Sequence, residues 1–157
     1  RIGNKNKRYL FDKNGTPVHG FKKVYTGVSM NDYETYYFGT PSQCCVQTGK
    51  LTNFQSENGS VATYYFTDAG RGYSGCKDGM LYYKGLLQKA SEDCRYEVIK
   101  VNGLNYLVGT TGKVQQSKKV KDKDGVQWTT SSSGIVTKED GETYRGSGRD
   151  PEEPEFD

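Results

Sequence analysis

The stretch Val101-Asn102-Gly103-Leu104-Asn105-Tyr106-Leu107-Val108-Gly109-Thr110-Thr111-Gly112-Lys113-Val114 holds both devices that decide the fold. Asn102-Gly103 pairs two residues that tolerate positive φ, which a tight hairpin turn requires. Gly112 falls six positions after Tyr106 and marks a second turn, where Gly can go left-handed without steric cost. Between the two turns runs Tyr106-Leu107-Val108, an apolar and aromatic segment of strand character. Turn, strand, turn and strand therefore follow one another within a single short stretch.

Both devices recur. The phrase Asp/Asn-Gly, two residues, then an aromatic is repeated in Asp78-Gly79-Met80-Leu81-Tyr82, Asp124-Gly125-Val126-Gln127-Trp128 and Asp140-Gly141-Glu142-Thr143-Tyr144. Each predicts a tight hairpin turn. The six-residue step from aromatic to Gly is repeated from Tyr9 to Gly15, from Tyr64 to Gly70 and from Trp128 to Gly134. The longest unit, Tyr9-Leu10-Phe11-Asp12-Lys13-Asn14-Gly15-Thr16-Pro17-Val18-His19-Gly20-Phe21, reads as strand, polar turn, strand. Two copies are irregular. Tyr36-Tyr37-Phe38 is followed by Pro41 and Cys44-Cys45 where a turn is due, and Leu81-Tyr82-Tyr83-Lys84-Gly85-Leu86-Leu87 reads as a hairpin with a two-residue turn. Residues 86–95 are the one stretch with helical character, with Leu86, Leu87 and Ala90 on one side, and they read equally as a turn.

A short self-similar unit repeated along a chain is the mark of a repeat array. One hairpin alone is marginal in water, but hairpins stacked along an axis bury their faces on one another. The expected fold is therefore all-β: a stacked, solenoid-like array of β-hairpins over residues 1–145, irregular in the middle. Composition agrees. Only 32% of residues are hydrophobic and the mean hydropathy is -0.87, so 13 Tyr and 6 Phe must replace much of the usual aliphatic core. Residues 146–157 (GSGRDPEEPEFD) are Gly-, Pro- and acid-rich and are expected to form a flexible acidic tail. The start at Arg1, already in mid-pattern, suggests a processed product or an excised piece of a longer protein.

The chemistry-bearing residues are sparse. The sole His, His19, has no thiol signature beside it and reads as a half-exposed hairpin residue. Asp12, Asp68 and Asp78 sit at turns, where carboxylates cap backbone amides. The 20 Gly fall at turn spacing rather than in a phosphate-binding motif. Cys44, Cys45, Cys76 and Cys94 include no CxxC, so zinc-ligand spacing is absent. Pairing of Cys44 or Cys45 with Cys76 or Cys94 is open in an oxidising compartment. No catalytic site, metal or cofactor is expected, and no apolar run is long enough to span a membrane. Net charge is +3, with lysines gathered at Lys118, Lys119, Lys121 and Lys123. That cluster reads as solvated hairpin tips or as a contact for an anionic polymer such as teichoic acid or nucleic acid.

Two segments carry a family resemblance: Val101 to Val108 with Gly112, and Tyr9 to Gly15 leading to Gly20-Phe21. Both resemble the cell-wall-binding repeats of choline-binding and glucan-binding modules in Gram-positive surface proteins, autolysins and phage lysins. They are also similar to the combined oligopeptide repeats of clostridial toxins. The resemblance implies a β-hairpin solenoid with aromatic-lined sites for carbohydrate or choline between consecutive hairpins. Aromatic faces suit both sugar rings and quaternary ammonium groups. Choline sites of the family use Trp, commonly after Gly. Here that place holds Gly20-Phe21 and Gly75-Cys76, and Trp128 is the one Trp, so a sugar, or no small ligand at all, fits better than choline.

The candidate ligand residues are the second aromatics of each pair, Tyr37, Tyr65 and Tyr83, with Trp128. The leading aromatics Tyr9, Tyr36, Tyr64, Tyr82 and Tyr106 are the candidates for the internal spine. The expected function is a non-catalytic cell-wall or carbohydrate-binding repeat module that attaches a larger secreted or phage-encoded protein to a bacterial surface. Its expected partners are cell-wall polysaccharide or teichoic acid, and its expected location is extracellular or on the cell surface. The alternative is a structural or assembly protein of a phage tail, fibre or capsid, whose hairpins contact other protein subunits in a virion. Nucleic acid at residues 118–123 ranks behind both.

Overall fold

A computed structural model describes residues 8–27, 32–55 and 61–154. Among them lie thirteen strands and no helix. They are β1 (Phe21–Tyr25), β2 (Tyr33–Tyr37), β3 (Gly49–Gln55), β4 (Val61–Phe66), β5 (Gly75–Lys77), β6 (Met80–Tyr83) and β7 (Leu86–Leu87). They continue with β8 (Tyr96–Val101), β9 (Leu104–Gly109), β10 (Lys119–Lys121), β11 (Gln127–Thr130), β12 (Val136–Glu139) and β13 (Glu142–Thr143). The all-β expectation holds, and the strands pair antiparallel as hairpins. Residues 86–95 are not a helix: β7 opens the stretch, and Cys94 and Arg95 both donate to the Ser91 carbonyl in a turn.

Turn chemistry explains the hairpins. Asp78 and Gly79, Lys84 and Gly85, Asn102 and Gly103, and Asp140 and Gly141 all have positive φ. That double left-handed conformation belongs to the two-residue turn whose twist matches the flanking strands. The second device is a three-residue loop closed by a left-handed Gly. Gly15, Gly70, Gly112 and Gly134, the glycines placed six after an aromatic, have φ of 80, 87, 90 and 83°. In each loop the glycine N–H donates to the carbonyl three residues back: Asp12, Thr67, Gly109 and Ser131. This is a type I turn followed by a left-handed bulge residue. Asp12 and Ser131 add side-chain oxygens that accept the N–H groups two and four residues on.

Asp124-Gly125 departs from the sequence expectation. Only Gly125 is left-handed, and its N–H donates to Asp122. Asp122 Oδ1 accepts from Asp124 and Val126 at 2.9 and 3.0 Å, as Asp12 does in its own loop. The loop is therefore of the longer kind. Its Gly falls six residues after Lys119, which is not aromatic, so a search for aromatic leads passes over it.

The chain forms two compact units. The first holds the described residues up to Tyr73, with Lys84–Leu86 and Pro154. β1 pairs with β2, β3 pairs with β4, and Tyr64 of β4 pairs with Leu86. Its core is aromatic. Phe21 lies 4.5 Å from Tyr37, 4.6 Å from Tyr64 and 6.2 Å from Phe66, centroid to centroid. Phe54 meets Tyr37 edge-on at 5.3 Å. The buried Thr35 hydroxyl donates to the Lys84 carbonyl, while its backbone carbonyl accepts from Gly72 at 2.8 Å.

The second unit holds Ser74–Tyr83 and Leu87–Glu153. β5 pairs with β6, β8 with β9, and β10 to β13 form a four-stranded meander. Its core is mainly aliphatic: Leu81, Ile99, Val101, Val108 and Val114, with Ala90 and Tyr106. Successive hairpins in this unit interlock at their loop glycines. The Gly112 carbonyl accepts the Leu81 N–H at 3.2 Å, and the Gly134 carbonyl accepts the Leu107 N–H at 3.1 Å. A Cβ on Gly134 would lie 2.0 Å from Val114 Cγ1. Gly is thus required there both for its φ and for its lack of a side chain.

The stretch expected as a flexible tail is docked as far as the description reaches. Arg149 donates its N–H to Val98 O at 3.0 Å and accepts the Lys100 N–H at 2.9 Å, adding a parallel bridge to β8. Its guanidinium contacts Glu97 at 2.9 Å. The buried Gln88 amide both donates to Glu152 O and accepts the Glu152 N–H, at 2.9 and 2.8 Å. An amide that matches a backbone donor and acceptor together satisfies itself as a ladder partner would. Composition signals disorder, but these particular partners override it. Residues 155–157 lie outside the description.

Candidate functional site

The four sequence candidates fall in four different surroundings. Tyr37 is 8% exposed and stacked on Phe21 in the first unit's core, so it presents no ligand face. The expectation of an exposed residue fails because β2 turns Tyr33, Thr35 and Tyr37 inward by its period of two. Tyr65, on the opposite face of β4 from buried Tyr64 and Phe66, is half-buried and meets Tyr73 edge-on at 5.7 Å. Tyr83 is half-buried and packs against the aliphatic core of the second unit. Of the spine candidates, Tyr64, Tyr82 and Tyr106 are buried. Tyr9 is 48% exposed and Tyr36 is half-buried, so these two are not spine residues.

Trp128 is the candidate with a built environment. It sits in the middle of β11, opposite Val120 of β10 and Glu139 of β12. Asp140-Gly141 then pairs Glu139 with Glu142, which brings Tyr144 back to the same sheet face. The Trp128 and Tyr144 rings meet edge-on, 5.6 Å apart at 70°. The indole N–H donates to Asp122 Oδ2 at 2.9 Å. Since Asp122 Oδ1 already closes its own loop, the carboxylate is fixed at both oxygens and locks the indole orientation. Burial, and next the Glu139 charge, hold the Tyr144 phenol above its ordinary pKa.

A half-buried aromatic corner has thus been set among carboxylates on a sheet face. An indole whose N–H is already committed offers its π face. Glu139 and Glu142, exposed beside it, offer acceptors for hydroxyl groups. Residue types alone do not reveal Tyr144, Asp122 and Glu139 as a set. Pairing arithmetic across the Asp140-Gly141 turn does place Tyr144 on the Trp128 face.

The cysteines form no pair. All four are free. The Cys44 thiol donates to Pro41 O at 3.0 Å, and Cys45 Sγ accepts from Gln47 at 3.4 Å. Burial pushes the Cys76 thiol up, and burial and surrounding carboxylates led by Glu97 push up Cys94. Neither is thereby activated as a nucleophile. No metal-holding group of side chains occurs among the described residues. No helix there is long and apolar enough to cross a membrane.

No family model matches the chain, and no curated protein matches it in sequence. Solved structures similar to it include CbpJ from Streptococcus pneumoniae TIGR4, at 15% identity and a TM-score of 0.43, covering 82% of this chain and 48% of that one. Another is choline binding protein F from Streptococcus pneumoniae, solved with a tetrasaccharide-pentapeptide peptidoglycan analogue. It is 22% identical with a TM-score of 0.34, covering 83% of this chain and 43% of that one. The chain thus spans about half the length of these two structures or less.

Proposed function

We propose that the chain is a non-catalytic module that binds bacterial cell-wall carbohydrate and serves a larger protein at a cell surface. The hairpins would act as a solenoid-like scaffold, and the corner formed by Trp128 and Tyr144 would be the ligand platform. That corner carries the proposal. It joins an oriented indole face, a second ring at 5.6 Å and fixed or exposed carboxylates, the combination that a sugar ring with its hydroxyls calls for. Tyr65 with Tyr73 is the secondary platform.

The test is co-sedimentation of the purified chain with Gram-positive cell walls, intact and stripped of teichoic acids and secondary polysaccharides. Retention on intact walls, lost on stripping and weakened at least tenfold by Trp128→Ala, is the expected result. A tenfold change is about 1.4 kcal/mol, within the range of one aromatic contact. Retention unchanged in both Trp128→Ala and Tyr144→Ala would remove the platform. Absence of retention on either preparation would remove the wall-binding function and favour protein subunits as partners.

A further inference from the structure

The sheet that carries the aromatic corner has a second face. Cross-strand partners share a face. Lys119 pairs with Thr129, Thr129 with Lys138, and Lys138 with Thr143, so these four side chains form one row across all four strands. Lys121, paired with Gln127, lies two residues along on the same face. Adjacent strands lie about 4.8 Å apart, so the backbones of Lys119 and Lys138 are about 10 Å apart, with Lys121 about 7 Å farther along its strand. All three lysines are exposed. None has an ion-pair partner among the described residues. The acids of this sheet, Glu139 and Glu142, are on the other face with Trp128.

Three unneutralised ammonium groups, Lys119 and Lys138 flanking Thr129 in the row and Lys121 beside it, form a cationic face without an acidic residue of these strands among them. We propose that this lysine face binds a linear phosphodiester polymer of polyol or sugar units. Each ammonium would meet one phosphate as a point charge, and the Thr129 and Thr143 hydroxyls would meet polymer hydroxyls. A nucleic acid fits less well: the sheet's aromatic side chains, Trp128 and Tyr144, are on the opposite face, so the lysine row has no surface for base stacking. The inference rests on the wall-binding proposal only for the source of the polymer, since the lysine row and the Trp128 corner are different faces.

The experiment measures affinity of the full chain for poly(glycerol phosphate), for neutral dextran and for a single-stranded oligonucleotide of equal charge, across a salt series. Three phosphate contacts at about 0.7 per contact give a log–log salt slope near two, or roughly twentyfold weaker binding from 50 to 200 mM salt. Lys119→Ala/Lys121→Ala/Lys138→Ala should lose at least tenfold affinity for poly(glycerol phosphate) at low salt and most of the slope. Trp128 emission, reporting from the other face, should stay unchanged and certify the fold. Lys138→Glu alone should give a smaller loss and serves if the triple variant misfolds. Unchanged affinity in the folded lysine variants, or no binding by the wild type, would overturn the proposal. Tighter lysine-dependent binding of the oligonucleotide would also overturn it and assign the face to nucleic acid. Trp128→Ala losing wall retention while keeping poly(glycerol phosphate) affinity would show that the two faces stand or fall separately.

Discussion

The two units solve the same problem with different side chains. The first fills its interior with rings, centred on Phe21 and Phe66. The second fills its interior with Leu81, Ile99, Val101, Val108 and Val114. Where the strands spend their aromatics inside, none of the central rings is left to face a ligand. Where aliphatic residues suffice, Trp128 and Tyr144 are released to a sheet face. Aromatic spacing along a strand therefore does not distinguish a platform from a core. The polar ends do: the indole N–H held by Asp122 and the phenol beside Glu139 mark rings whose orientation is fixed from outside the hydrophobic interior.

Core truncation should have the largest effect and test the comparison directly. Phe66 is 1% exposed and Ile99 is 0% exposed. Phe66→Ala should cost about 4 kcal/mol and Ile99→Ala about 3 kcal/mol, read from urea unfolding midpoints. A smaller loss for Phe66→Ala than for Ile99→Ala would mean that the aromatic cluster is the looser of the two cores.

Loop glycines come next. Gly134→Ala must accept a left-handed alanine and displace Val114, so about 3 kcal/mol is expected. Gly125→Ala has the same φ class but meets open space, and about 1 kcal/mol is expected. Thermal unfolding of both variants checks the difference. Equal losses would mean that the Gly134 loop is not seated on Val114 and that the interlocking of hairpins in the second unit is absent.

These glycines also show how much of the structure is legible from residues alone. The positive φ of Gly15, Gly70, Gly112 and Gly134 follows from spacing, because no other residue takes that conformation without cost. The Asp122 loop is missed because its leading residue is Lys119, and loop geometry depends on Asp122 and Gly125 rather than on the aromatic. Tyr37 is misplaced because alternation tells which residues share a face but not which face turns inward. The platform is legible by half: Trp128 stands out as the one indole, whereas Tyr144 requires the register across Asp140-Gly141. The docking of Arg149 and Glu152 is illegible, since it depends on single partners, Glu97 and Gln88, far away in sequence.

That docking gives a smaller test confined to the second unit. Arg149 and Glu97 are 33% and 20% exposed at the side chain, so solvent screens part of their attraction. Arg149→Ala should cost about 1 kcal/mol globally while sharply raising amide exchange at Lys100, whose N–H is held by the Arg149 carbonyl. Unchanged exchange at Lys100 would mean that the backbone bridge to β8 and the Gln88 amide hold the strap without the Arg149 side chain.

The smallest expected effect lies at the aromatic corner itself and concerns pH. Burial and Glu139 raise the Tyr144 phenol above its ordinary value of 10.0. The folded state therefore keeps this proton more tightly than the unfolded chain does. The associated stability is fully present below pH 10 and is lost as pH rises through the higher folded-state value. Tyr144→Phe cannot ionise, so its stability should fall less steeply than that of the wild type above pH 10. Glu139→Gln, which removes the second cause, should bring the phenol's absorbance titration partway back toward 10.0. If wild type and Tyr144→Phe instead decline in parallel, the phenol is open to solvent. The corner would then be two separate surface rings, and the contrast with the ring-filled core of the first unit would lose its functional meaning.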